Sequence, residues 1–237
     1  MSKKMALITG ASRGIGAAVA RHFWAQGYSL LLVARDDQRL ERFAASLHEQ
    51  LGQQVTLLAV DLSDPVATAE VLTPALSQLH KIDVLVNAAG IFRPGSSKAL
   101  LPDFSAMLDV NVTAVHHLCQ LALPALRHAG RSHIFNLSSL SGVQAYGSIA
   151  GYAASKHALV GYSLSLSREL AGQGIKVSVL CPDVVDTDMS AGSGLTAEEM
   201  LQPEDICKSI AFILSLSPAA HIEKLVLGRV YRPAVKK

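Results

Sequence analysis

Thr9-Gly10-Ala11-Ser12-Arg13-Gly14-Ile15-Gly16 follows directly on an aliphatic run, residues 5–9, and opens an amphipathic stretch, residues 15–26. A short buried strand that turns on glycines into a helix suits the binding of a pyrophosphate. Glycine permits the tight turn and lets backbone approach the phosphates, while the free amides and positive pole of the helix attract their charge. The spacing is G-x3-G-x-G, not the G-x-G-x-x-G of the general dinucleotide fingerprint. Gly10, Ser12, Arg13, Gly14, Ile15 and Gly16 are the first candidate cofactor contacts.

The pattern of this opening unit repeats along the chain. Further short aliphatic runs lie at 29–34, 55–60, 83–87, 133–138, 176–181 and 225–231, and their continuous hydrophobicity predicts strands buried on both faces. Amphipathic stretches at 37–51, 65–80, 103–129, 151–172 and 203–216 alternate with them as predicted helices. Gly27, Gly52, Gly130 and Gly174 fall just after four helices, where a positive φ is often needed. Six β-α units closed by a strand predict an α/β fold, a doubly wound, mostly parallel seven-stranded sheet with helices on both faces. Residues 1–237 read as a single domain. The least patterned segment, 188–202, contains Gly192-Ser193-Gly194 and is expected to be a short, mobile substrate loop.

The ends of the strands carry the next candidates, because ligands of such sheets bind there. The second strand ends in Ala34-Arg35, and Arg13 projects from the glycine turn toward the same region. Two guanidiniums suit a 2′-phosphate, whereas a 2′-hydroxyl calls for a carboxylate, so NADP(H) is expected in preference to NAD(H). Asp36 and Asp37 are placed to oppose that preference by folding back toward the ribose. Asp61, in Val60-Asp61-Leu62, is a candidate acceptor for the adenine amino group, with Leu62 beside it, and Asn87-Ala88-Ala89-Gly90 offers a shelf of small residues to the adenosine ribose.

Bulk properties exclude other partners. Half of the 237 residues are apolar and 17% are charged, and 21 basic against 19 acidic side chains leave a net charge of +2, spread without blocks. Neither nucleic acid nor an anionic membrane is an expected partner. No apolar run exceeds five residues, so none spans a bilayer, and the start of the chain has no secretory hydrophobic core; a cytoplasmic location is expected. The scattered Cys119, Cys181 and Cys207 read as reduced thiols, and the nine histidines show no ligand spacing, so no metal is expected.

Tyr152 and Lys156 stand four residues apart on a predicted helix, thirteen residues after Ser139. Positions i and i+4 share a face, which sets an ammonium beside a phenol that exchanges protons poorly at neutral pH on its own. With TGASRGIG at 9–16, Asp61, NAAG at 87–90, Asn111, Ser139 in NLSS, YAASK at 152–156 and Pro182 with Thr187, the chain resembles the short-chain dehydrogenase/reductase family over nearly its whole length.

That resemblance implies a catalytic tetrad of Asn111, Ser139, Tyr152 and Lys156. Ser139 would bind the substrate carbonyl oxygen, Tyr152 would protonate it, Lys156 would lower the Tyr152 pKa and hold the nicotinamide ribose, and Asn111 would hold a water for proton resupply. Tyr152 and Lys156, with Pro182, Val185 and Thr187, would also meet the cofactor. The implied activity is NADP(H)-dependent interconversion of a small-molecule carbonyl, of ketone, aldehyde or 3-oxoacyl type, and a secondary alcohol. A homodimer or homotetramer through helices 103–129 and 151–172 is implied as well. The chain departs from the family pattern in having Asp183 where glycine is usual, and that carboxylate is the one feature favouring the rival reading, a non-catalytic NADP(H)-binding sensor. Ile91, Phe92, Leu140, Val143 and Tyr146 hint at an apolar substrate pocket.

Overall fold

β1 (Met5–Thr9) lies at the centre of the sheet because it is apolar on both faces, with Ala6 and Ile8 toward one helical layer and Leu7 toward the other. In the computed structural model, which describes residues 3–47 and 52–230, it pairs in parallel with β2 (Ser29–Ala34) on one side and β4 (Val84–Asn87) on the other. β3 (Val55–Ala59) flanks β2, and β5 (Ser132–Leu137), β6 (Ile175–Pro182) and β7 (Lys224–Leu227) extend the sheet beyond β4. All pairings are parallel and the strand order is β3-β2-β1-β4-β5-β6-β7. The chain winds outward from β1 in one direction and then from β4 in the other, so the crevice between these two strands, at their carboxyl ends, is the place for a ligand.

Helices α1 (Gly14–Ala25), α2 (Asp37–Ala45) and α7 (Pro203–Ser215) cover one face around Phe23, Phe43 and Ile210. Helices α3 (Pro65–Ser77), α4 (Leu101–Leu108), α5 (Ala114–His128) and α6 (Ala150–Leu170) account for the other elements of the alternation, and α3, α5 and α6 pack their apolar sides on Leu7, Leu85 and Ile134. The four glycines expected after helices all have positive φ.

Three boundaries differ from the sequence pattern. The predicted helix 103–129 is α4 and α5 joined by a π-helical turn, Asp109–Thr113, in which the Ala114 amide reaches back to the Asp109 carbonyl. Its hydrophobic periodicity runs on through the widened turn, so sequence alone reads one helix. The last strand ends at Leu227, the remaining positions of its predicted span lying partly beyond the described residues, and α2 ends at Ala45, with 48–51 also outside them. The segment expected as an unstructured loop holds two 3-10 turns, Asp188–Ser190 and Ala197–Glu199, and its ends meet where Val185 bridges Leu201.

Candidate active site

The cleft at the β1–β4 switch has a volume of about 430 Å³, within the range of small-molecule sites. Its floor is the turn between β1 and α1, and close packing explains the glycines there. A Cβ on Gly16 would lie 2.2 Å from the Gly10 carbonyl oxygen, and one on Gly10, which has φ 65°, would lie 2.9 Å from the Ala89 backbone. The first turn of α1 has no acidic side chain, so its amides present uncompensated positive charge to the cleft. Gly10, Ser12, Arg13, Gly14, Ile15, Gly16, Arg35, Asp61, Leu62, Ala88, Gly90 and Thr187, all expected as cofactor contacts, line this one cleft.

Asn87, Tyr152, Lys156, Pro182 and Val185, also expected as cofactor contacts, are not among the residues that line it. The Asn87 amide is buried under the sheet, donating to Asn136 Oδ1 at 2.8 Å, and Asn136 in turn donates to Ser163 at 2.9 Å. Asn87 therefore ties β4 to β5 rather than forming part of the shelf, and its own Oδ1 has no hydrogen-bond partner. Pro182 ends β6, and Val185 is buried in the bridge to Leu201.

A cationic rim closes one end of the cleft. Arg13, Arg35 and also Arg39, which sequence reading passed over, line it together with Asp36 and Asp188. The signal for Arg39 is its position one turn into α2, where helix geometry returns the side chain toward Arg35. Asp36 is held at the start of α2. Its Oδ1 caps α2 by accepting from the Arg39 amide at 2.9 Å. Asp61 accepts from the Ser63 amide and hydroxyl through Oδ1, with Arg35 3.7 Å from Oδ2. Partial burial pushes its pKa up, but the Ser63 bonds and the Arg35 charge outweigh this and hold it below the usual carboxylate value.

At the other end, the carboxyl end of β5 and the first turns of α6 bring Ser139, Tyr152 and Lys156 together. Ser139 is near enough to the Tyr152 hydroxyl to act on its pKa, and Phe92 meets the Tyr152 ring edge-on at 5.1 Å. The buried Lys156 ammonium lies 5.7 Å from the centre of the Tyr152 ring and donates to the Leu137 carbonyl at 2.8 Å. Burial lowers its pKa to about 8. Burial also raises the Tyr152 pKa, and the nearby Ser139 hydroxyl only partly opposes this.

Asn111, fully buried in the π-helical turn, accepts from the Ile91 amide at 2.9 Å and donates to the Ile91 carbonyl and to Ser155 Oγ, each at 3.0 Å. These contacts engage its amide on both ends, so the side chain clamps the turn after β4. A Cβ on Gly90 would lie 3.3 Å from Asn111 Oδ1 and 3.5 Å from Lys156 Nζ, which places these two side chains behind the Gly90 wall of the cleft. Asp183 is also engaged: its carboxylate lies 3.2 Å from Arg229 Nε, and Arg229 donates to the Glu199 carbonyl at 3.2 Å.

A phosphate-binding turn on a doubly wound sheet, with a Ser-Tyr-Lys cluster at the end of its cleft, defines the class of dinucleotide-binding oxidoreductase folds. Residues 4–197 match the family model for short chain dehydrogenases, and the chain belongs to that family. It is 31% identical over 97% of its length to an uncharacterised oxidoreductase of Staphylococcus epidermidis, 99% of which is covered. An alcohol dehydrogenase of the archaeon Thermococcus sibiricus, complexed with 5-hydroxy-NADP, superposes with a TM-score of 0.87 at 30% identity, covering 98% of this chain and 99% of that one. A 3-ketoacyl-(acyl-carrier-protein) reductase of Brucella melitensis, complexed with NADH, gives a TM-score of 0.83 at 26% identity, with 95% and 96% covered.

Proposed function

We propose that this protein is an NADP(H)-dependent oxidoreductase that interconverts a small-molecule carbonyl and a secondary alcohol. The observation that carries this reading is the approach of Lys156 to Gly90 in the wall of an arginine-rimmed cleft, with the Tyr152 ring beside Lys156 and Ser139 beside Tyr152. The site fits the cofactor: the Gly10–Gly16 cradle admits backbone approach, the α1 amides suit a pyrophosphate, and Arg13, Arg35 and Arg39 suit a 2′-phosphate. When bound, the nicotinamide supplies or accepts a hydride.

Ser139 donates a hydrogen bond to the substrate oxygen, and Tyr152 gives that oxygen its proton in reduction and takes it back in oxidation. Lys156, as an ammonium, stabilises the phenolate left behind and holds the nicotinamide ribose. Asn111 fixes the Gly90–Ile91 turn beside Lys156, and any water it holds is bound through its backbone, its amide being engaged. Phe92 against Tyr152 favours carbonyls with an apolar flank.

Similar solved structures carry NADP-type and NADH cofactors, so the preference rests here on the three arginines. Arg35→Asp is expected to shift the kcat/KM ratio from NADPH toward NADH, and an unchanged ratio shows that Arg35 does not meet the 2′-phosphate. NADPH consumption against ketones, aldehydes, diketones and short 3-oxoacyl thioesters tests the activity. Tight NADPH binding without turnover on any of them would instead support a binding sensor, a reading for which the structure offers little, since Asp183 is paired with Arg229.

A homodimer or homotetramer is part of the same proposal. Of the apolar residues on the two predicted interface helices, Val115, Leu118, Ala122 and Leu159 are buried in the chain's own core. Val112, Leu164 and Leu166 keep part of their surface for a partner. Light scattering at micromolar concentration gives the mass.

A further inference from the structure

Asp188 is the first residue of the loop beyond β6, and its carboxylate sits among the arginines of the cleft. Its Oδ2 lies 2.8 Å from Arg13 Nη1 and 3.5 Å from Arg39 Nη1. Arg39 is also 3.9 Å from Asp36, and Arg35 is held apart from these by Asp61. The hydrogen bond from Arg13, with the Arg13 and Arg39 charges, keeps the Asp188 carboxyl below its usual range. The preceding residue, Thr187, packs its methyl against Gly14, with Cγ2 3.2 Å from where a Cβ would stand. The base of loop 188–202 is thereby seated on the phosphate-binding turn and tied to its arginines. Carboxylate and phosphate oxygens compete for the same guanidinium donors.

We propose that Asp188 is an internal counter-ion of the 2′-phosphate subsite: it holds Arg13 and Arg39 when no phosphate is present and yields them to the cofactor's 2′-phosphate. This rests on the NADP(H) reading of the cleft. It makes Asp188 a determinant of cofactor selectivity and couples the substrate loop to the phosphate, since the residue that gives up the arginines is the residue that anchors the loop. The ion pairs are exposed, with 42% or more of each side chain in solvent, so the phosphate displaces them at small cost.

The test is the binding of adenosine 2′,5′-bisphosphate and of 5′-AMP, by calorimetry at low salt, to the wild type, Asp188→Asn and Arg39→Gln. Asp188→Asn is expected to tighten the bisphosphate about three- to fivefold, the range of an exposed ion pair, and to leave 5′-AMP unchanged. Arg39→Gln is expected to weaken the bisphosphate alone. Hydrogen exchange over residues 188–202 is expected to speed up in wild type when the bisphosphate binds, and to be fast in Asp188→Asn without it. A wild type that prefers the bisphosphate while Asp188→Asn binds it no more tightly overturns the counter-ion role and leaves the NADP(H) reading intact. Equal binding of both nucleotides by every variant overturns the NADP(H) reading and the proposal with it.

Discussion

Lys156 is buried and Tyr152 partly so, and burial disfavours each group's charged form, so their chemistry depends on the partners they keep. Reduction needs a protonated phenol to donate and an ammonium to stabilise the phenolate that results. The first condition holds throughout the neutral range, because the Tyr152 pKa is raised. The second is lost as pH rises through about 8, where free Lys156 gives up its proton. The kcat/KM for carbonyl reduction, which reports the free enzyme, is therefore expected to be level from about pH 6 to 7.5 and to fall above about 8. A profile level to pH 9.5 would mean the ammonium is not required. Tyr152→Phe keeps the ring against Phe92 and removes the proton, so kcat should fall by about 10²- to 10⁴-fold with cofactor affinity nearly intact. A loss of tenfold or less in stopped-flow assays would assign the proton to another group.

Asp183 stands where a glycine is usual in the family, and the structure gives the carboxylate a mechanical task. It links the end of β6 to the segment after β7: the Asp183 amide donates to the Leu227 carbonyl at 2.8 Å, and the carboxylate faces Arg229, whose guanidinium holds the Glu199 carbonyl of the loop. Both side chains are less than one-fifth exposed, so the pair is screened far less than one on the surface. Removing one partner strands the other, and Asp183→Gly and Arg229→Gln are each expected to cost about 1–3 kcal/mol in urea unfolding. The double variant should cost clearly less than the sum of the two, and strict additivity would show that the two groups do not interact. The loop is thus fastened at both ends, by Asp188 to the arginines and by Arg229 near Asp183. None of this is legible in the sequence, because residues 46 positions apart carry no local pattern that pairs them.

What was legible follows from physics with a short range. Continuous aliphatic runs read as strands covered on both faces, which holds for β1, β2, β4, β5 and β6 but not for the edge strands β3 and β7, whose residues are half-buried or exposed because each has one neighbour only; the sheet, its alternation with helices and most of the cleft still follow from local composition. The π-helical turn was hidden because a single extra residue per turn barely disturbs a 3.6-residue periodicity, and Arg39, Asp188 and the inward turn of Asn87 depend on packing between distant elements. His133 belongs with these: it lies buried in β5, stacked on Phe135 at 4.1 Å and bonded to Ser178 Oγ at 2.9 Å, with His221 edge-on at 6.1 Å. Burial first, then the charges of His221 and Lys176, lower its pKa to about 3. In the unfolded chain it takes a proton near pH 6.5, while the folded protein keeps it neutral. Its contribution to stability is therefore whole above about pH 6.5 and is lost as pH falls toward 3, at about 1.4 kcal/mol per pH unit. Urea unfolding at pH 7, 6 and 5 should show that loss in the wild type, and His133→Phe, which keeps an aromatic ring against Phe135, should show a slope smaller by roughly that amount while other titrating groups cancel. Equal slopes in the two proteins would mean that His133 takes up its proton without unfolding the chain.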